Sequence, residues 1–273
     1  MKFRFIDSSP TWYGIAKQLE YHLVKLGLEV SETEGITLCY ANDIGSCTIG
    51  QAEPMIPANH WPLQRASTSV ADILLCSQVA CMKWFQRPHA YYLPSAVNTQ
   101  LLFNRIVPRD IPIGFCGFTH HQPRQDFLDT LLNAFPRTFK PAEDSIFLAD
   151  LAEYYSRCQI VVNDCQWTEV PMRVFEAAAC EACLVTKRVP GIADLFEEDV
   201  EAVFYDDWPE MVEKITGLLT NIKRRATIAR AGMERVRRDH TYIHRAKVVK
   251  EIIQFSQGSY LHFGNSTIQA WEG

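Results

Sequence analysis

Residues 173 to 196 read RVFEAAACEACLVTKRVPGIADLF. Small and apolar residues run through Leu184 and Val185 to a turn at Pro190-Gly191, the pattern of a buried helix leading into a buried strand. The stretch nevertheless opens on Arg173 and Glu176, and long charged side chains are rarely set at the mouth of a buried segment unless something there needs them. A helix that starts near residue 172, just beyond a strand end, presents unpaired N–H groups and a partial positive charge, which suits an anion. Arg173 in its first turn adds a fork of donors matched to a phosphate. Glu176, one turn on, can accept from a diol such as two ribose hydroxyls. The pair reads as a nucleotide site. The competing reading is a surface Arg-Glu pair at i, i+3, worth about 0.2–0.5 kcal/mol.

Other residues carry chemistry in smaller clusters. His120, His121 and Arg124 lie together in GFCGFTHHQPRQDFL. Two adjacent histidines suggest metal, but no third ligand is spaced for it, so no metal site is expected. Cys180 and Cys183 form a lone CxxC inside a helix-to-strand passage, where packing is expected rather than redox chemistry. His60 and Trp61, in a long loop, offer a base and a stacking face, although a loop aromatic packed on its own domain accounts for Trp61 as well.

These residues need elements to hold them. FRFID is a short strand, Ser9 and Pro10 form a helix start, and Ile15, Leu19, Leu23 and Leu26 keep helical spacing up to Gly27. LEV and ITLCYA follow as strands. Residues 43 to 68 read as a long loop, followed by strand ADILLCS, helix VACMKWFQ and strand AYYLPSAV. Residues 98 to 110 are the expected linker. The alternation then restarts with IPIGFCG, DFLDTLLNAF, LADLAEYYSRC, QIVVN, a helix over 172–181, a strand over 182–186 and EAVFYD. Two β/α alternating halves indicate two doubly wound parallel sheets, with ligands beyond the C-terminal ends of the strands.

The chain has 273 residues, 47% of them apolar and 22% charged, enough to bury two modest cores. No apolar run is long enough for a membrane helix, and MKFRFIDSSP lacks the apolar core of a signal peptide. Nine cysteines, an odd number scattered through apolar segments, read as reduced thiols. A cytoplasmic protein is expected. The net charge of −5 argues against wholesale nucleic-acid binding, yet residues 221 to 250 hold ten Lys or Arg against two acids, a local balance of +8. That is either a solvated helical face or the footprint of an anionic partner.

YYSRCQIVVN, PMRVFEAAACEACLVTKRVPGIADLF, EAVFYDD and RATIARAGMERVRRDHTYIHRA, taken together, resemble the C-terminal half of group-1 glycosyltransferases, and within them the spore-maturation, CgeB-like branch. The resemblance covers residues 111 to 255 well and is weaker before residue 70. It implies an α/β GT-B fold: two Rossmann-like domains facing across a cleft, with a small N-terminal domain over 1–104, a nucleotide-sugar-binding domain over 105–255, and a tail over 256–273 that docks back on the first domain. It also implies that Glu176 holds the donor ribose and that Arg124 lies on the donor diphosphate. His120 and His121 share the loop of Arg124, and Ser9 lies where the N-terminal loop approaches the diphosphate. The sequence departs from the family at several points. The second acidic residue expected eight positions before the helix glutamate is Thr168, with Glu169 one position off and Asp164 further away. Phe118 replaces the arginine after the strand glycine, and Glu181 replaces the glycine after the helix.

The resemblance therefore implies a retaining, metal-independent transferase that takes a sugar from a UDP- or GDP-sugar as substrate and needs no cofactor. Arg124 and Arg173 would stabilise the departing diphosphate, and Glu176, His120, His121, Ser9, Thr168 and Glu169 would line the donor site. The acceptor is a polysaccharide, a protein or a nucleic acid. Two alternatives stand beside this: a phage-type DNA glycosyltransferase acting on a hydroxymethylated base, which the basic segment would serve, and a degenerate homologue that binds nucleotide without turnover.

Overall fold

The computed structural model of the chain describes residues 1–6, 15–41, 71–77, 89–117, 119, 122–142, 146–165 and 170–256. Ser9, His60, Trp61, Phe118, His120, His121, Thr168, Glu169, helix VACMKWFQ and the tail beyond residue 256 lie outside them. The chain divides into two compact units, one of Met1–Ser95 joined by the chain from Tyr242, the other of Ala96–Thr241.

The first unit opens with β1 (Lys2–Ile6), α1 (Ile15–Lys25), β2 (Glu29–Val30) and β3 (Ile36–Ala41), and continues with β4 (Ile73–Cys76) and β5 (Ala90–Tyr92). These strands form one parallel sheet in the order β2-β1-β3-β4-β5. Leu19 and Leu23, one turn apart on α1, are fully buried, as the helical spacing requires. The helix stops where Gly27 takes a left-handed φ of 87°, a conformation glycine reaches without steric cost.

The second unit begins earlier than the expected linker, because Val97 and Leu102 already pack into its core beside Val161. Its elements are β6 (Ile111–Gly114), α2 (Gln122–Ala134), α3 (Leu148–Arg157), β7 (Cys158–Asn163), α4 (Met172–Ala179), β8 (Cys183–Lys187), α5 (Ile192–Leu195), β9 (Val203–Tyr205), α6 (Trp208–Thr220) and α7 (Ile222–Asp239). The sheet is parallel with order β6-β7-β8-β9. Alternate residues point to opposite faces of each strand. Val161, Leu184 and Phe204 pack with α3, α4 and α5 on one side, while Ile160, Val162, Val185 and Val203 pack with α2 and α6 on the other. This is a doubly wound sheet, in which the β/α alternation of the sequence is realised element by element.

Glu181, just past α4, holds a left-handed φ of 60°. A glycine would sit there without strain. The glutamate is held by its side chain, whose Oε2 accepts from Asn104 Nδ2 at 2.6 Å and lies 3.9 Å from Arg109 Nη2.

The last helix among the described residues, α8 (Tyr242–Ser256), packs against α1 and belongs to the first unit. This differs from the expectation of a second domain running to residue 255. Its buried apolar residues include Val249, Ile252 and Ile253, and non-local polar bonds add to this packing: buried Arg245 donates from Nε to the Pro94 carbonyl at 2.9 Å and from Nη2 to that of Ser95 at 3.1 Å, and Lys250 donates to the Leu26 carbonyl at 2.8 Å.

Candidate donor site

In a parallel sheet every strand delivers its exit loop to the same edge. At that edge of the second sheet, β6 releases Phe115, Cys116 and Gly117, β7 releases Asp164 and Cys165, and β9 ends on Tyr205. The first turn of α2 brings Arg124 and the first turn of α4 brings Arg173. The N-cap of α4 is Pro171, which supplies no side-chain cap for the helix N–H groups.

Two guanidiniums meet over one ring. Arg124 Cζ stands 4.9 Å from the Phe115 centroid and 5.7 Å from that of Phe127, and Arg173 Cζ stands 5.5 Å from Phe115. Both distances to Phe115 fall within cation–π range. Phe115 is 1% exposed and meets Phe127 edge to face at 5.6 Å, so the ring is fixed. Arg124 is itself buried, and burial first, then the like charge of Arg173, bring its pKa down to about 10; the Asp164 carboxylate opposes the shift. Asp164 is buried too, and its Oδ1 accepts from the Tyr205 hydroxyl at 3.2 Å, the same hydroxyl lying 3.1 Å from the Asn163 carbonyl. Arg173 Nη1 is buried with no hydrogen-bond partner among the described residues.

Glu176 follows one turn later on α4, half-buried. Burial pushes its carboxyl up to about 7, against the pull of Arg173 toward the charged form. Among the described residues Glu176 and Arg173 form no ion pair with each other, and neither is fully exposed. A solvated i, i+3 pair would be both. The structure therefore brings Arg124, Arg173 and Glu176 to one edge of one sheet, with a buried carboxylate behind. The arrangement can take an anion against the two guanidiniums and a hydroxyl pair at the carboxylate. Phe115, Gly117 and Tyr205 also stand at this edge. In the sequence Phe115 and Tyr205 read as core within apolar strands, and only the gathering of the strand exits brings them beside the charged residues.

Cys180 and Cys183 are free, buried thiols, each pushed up to about 12 by burial. That suits packing and disfavours the thiolate that redox chemistry needs. Among the described residues no cluster of three or more His, Cys, Asp or Glu is placed to hold a metal, and no helix is long and apolar enough to cross a membrane.

The basic segment is largely occupied from within. Arg224 pairs with Asp199 at 2.8 Å, Arg230 with Glu234 at 3.1 Å, and Arg235 and Arg238 with Asp239 at 3.3 and 2.9 Å. Arg225 donates to the Leu218 carbonyl at 2.8 Å, and Arg245 and Lys250 donate to carbonyls of the first unit as described above. Lys223, Arg237 and Lys247 are left exposed.

Residues 134–251 match the family model described as "Glycosyl transferase-like". A comparison with the curated proteins finds no match. Among solved structures, HepE from Anabaena, crystallised with UDP and glucose, is 12% identical with a TM-score of 0.66, over 93% of this chain and 100% of that one. Sucrose-phosphate synthase from Thermosynechococcus elongatus is 12% identical with a TM-score of 0.62, over 94% of this chain and 74% of that one. TarM of S. aureus is 11% identical with a TM-score of 0.59, over 88% of this chain and 58% of that one. At such identities the likeness speaks for the fold. The chain has the α/β fold of two parallel sheets shared with GT-B glycosyltransferases, and its residues 134–251, less than half of it, are similar to the glycosyl transferase-like family.

Proposed function

We propose that the protein transfers a sugar from a nucleotide diphosphate sugar, holding the donor at the C-terminal edge of the second sheet. The observation that carries this reading is the pair of guanidiniums over Phe115, set beside the uncapped first turn of α4 and one turn from Glu176. Two cations this close repel one another, and a diphosphate relieves both that repulsion and the burial of the Arg124 charge, which is the larger cause of its lowered pKa. When the bond between the anomeric carbon and the phosphate oxygen breaks, its electron pair passes to the departing diphosphate, while an acceptor hydroxyl oxygen bonds to that carbon and its proton passes to the diphosphate or to water. Arg124, Arg173 and the α4 N–H groups are oriented in advance toward that charge. Glu176 accepts from the two ribose hydroxyls. The charge is met by side chains, so the reaction proceeds without a metal, and the family resemblance supports retention at the anomeric carbon.

HepE structures holding UDP, or UDP with glucose, support a uridine nucleotide as the first donor to try. Occupation of most basic side chains by internal partners favours a polysaccharide or protein acceptor over duplex DNA. The free, buried thiols support a cytoplasmic location.

The test is calorimetric titration of wild type, Arg124→Ala and Arg173→Ala with UDP and with uridine, followed by incubation with UDP- and GDP-sugars. Each arginine variant should lose roughly 10- to 100-fold in affinity for UDP while keeping its affinity for uridine, since charge-assisted bonds contribute about 1.5–3 kcal/mol. Unchanged affinities would remove the basis for a donor site. Nucleotide binding with no sugar release from any donor would identify a non-catalytic homologue instead.

A further inference from the structure

The reason for a glycine at position 117 lies in space rather than in backbone conformation. Among the described residues the glycines with left-handed φ are Gly27, Gly35 and Gly191, and Gly117 is not one of them. An alanine could adopt its backbone. What an alanine could not do is leave Arg173 where it stands, because a Cβ at 117 would lie 2.6 Å from Arg173 Nη1, 2.9 Å from Cζ and 3.0 Å from Nη2. All three are inside van der Waals contact, and all three belong to the guanidinium. The guanidinium therefore rests on the bare backbone of Gly117, with the face of Phe115 on another side at 5.5 Å.

The seat is stiff. The Phe115 ring is buried against Phe127, and its backbone is tied at both polar groups: the Phe115 N–H donates to Tyr154 Oη at 2.9 Å, and the Phe115 carbonyl accepts from the Ala142 N–H at 2.8 Å. Arg173 by contrast is a long side chain whose Nη1 is buried without a hydrogen-bond partner among the described residues. Among those residues no carboxylate forms an ion pair with it.

We propose that Gly117 and Phe115 are positioning residues that seat the Arg173 guanidinium, Gly117 by the absence of a side chain and Phe115 by its ring face, so that the arginine meets the donor diphosphate already oriented. This rests on the donor-site reading given above. The atoms that an added methyl would meet are the far end of a flexible side chain, so the fold tolerates the methyl and the arginine swings aside. Loss of aim without loss of fold is the signature to look for.

The experiment uses Gly117→Ala, Arg173→Ala, the double variant and Phe115→Leu, titrated with UDP and with uridine, with thermal unfolding as the control. Gly117→Ala should weaken UDP about tenfold, as expected when one charge-assisted hydrogen bond is no longer made, and leave uridine binding and the unfolding midpoint unchanged. Added to Arg173→Ala, it should cause no further weakening. Equal weakening by Gly117→Ala in both backgrounds, or none in either, overturns the proposal. Phe115→Leu should act in the same direction, and the glycine variant decides the matter if the leucine variant does not fold. A second readout needs no ligand: phenylglyoxal should label Arg173 faster in Gly117→Ala than in wild type, and an unchanged rate overturns the seat. A wild type that binds UDP no better than uridine overturns the diphosphate site itself, and the labelling rates then still report on the seat separately.

Discussion

Replacing Glu176 by glutamine should stabilise the protein at alkaline pH while weakening its hold on a nucleoside. Burial raises the Glu176 carboxyl from 4.5 to about 7, with Arg173 only partly opposing. The native state thus binds a proton more tightly than the unfolded chain does. Stability linked to this group is fully present below pH 4.5 and is lost as pH rises through about 7. At about 1.4 kcal/mol per pH unit, the loss amounts to about 3 kcal/mol at pH 8. Glutamine is neutral throughout and escapes it. Denaturant unfolding of wild type and Glu176→Gln should therefore give equal stabilities near about pH 4 and diverge above neutrality, the variant being more stable by about 3 kcal/mol at most. Nucleoside affinity should move the other way. In wild type it should rise with pH as the carboxylate forms, and in the variant it should be weaker and flat with pH. A variant less stable than wild type at pH 8, or a stability difference that does not depend on pH, would refute the account of Glu176 as a carboxyl held in an unfavourable place for the sake of a ligand.

Tyr154→Phe should destabilise the second unit by about 1–3 kcal/mol in denaturant unfolding, because it leaves the Phe115 N–H without its partner and removes the 2.7 Å bond to the Lys140 carbonyl. Cys180 and Cys183, raised to about 12, should resist iodoacetamide at about pH 8 in the native protein and react only after unfolding, as peptide mass spectrometry would read. If Arg124 and Arg173 meet the charge of the diphosphate as proposed, sugar transfer or donor hydrolysis should survive a chelator; loss of activity restored by one divalent ion would contradict this.

Periodicity and turn chemistry in the sequence were enough to determine the two parallel sheets. The apolar runs ILLC, IVVN and CLVT have one reading as strands buried on both faces, and the intervening helical patterns force parallel order. The position of Arg173 and Glu176 at the start of an apolar helix was legible for a related reason, because charge at such a place is a local anomaly that needs no coordinates to notice. The allegiance of α8 was not local. Its apolar spacing does not by itself name a partner, and the bonds of Arg245 and Lys250 run to carbonyls more than a hundred residues away. Tertiary structure alone also decided what surrounds the charges. Phe115 and Tyr205 look like any core aromatic in a strand, and Gly117 like any loop glycine, until the strand exits are gathered at one edge. Burial of Glu176 and the closeness of Arg124 to Arg173 are properties of that gathering, and so are the displaced pKa values that follow from it. Sequence names the groups that can carry charge, but the free energy of each charge depends on its neighbours in space, which only the folded chain supplies.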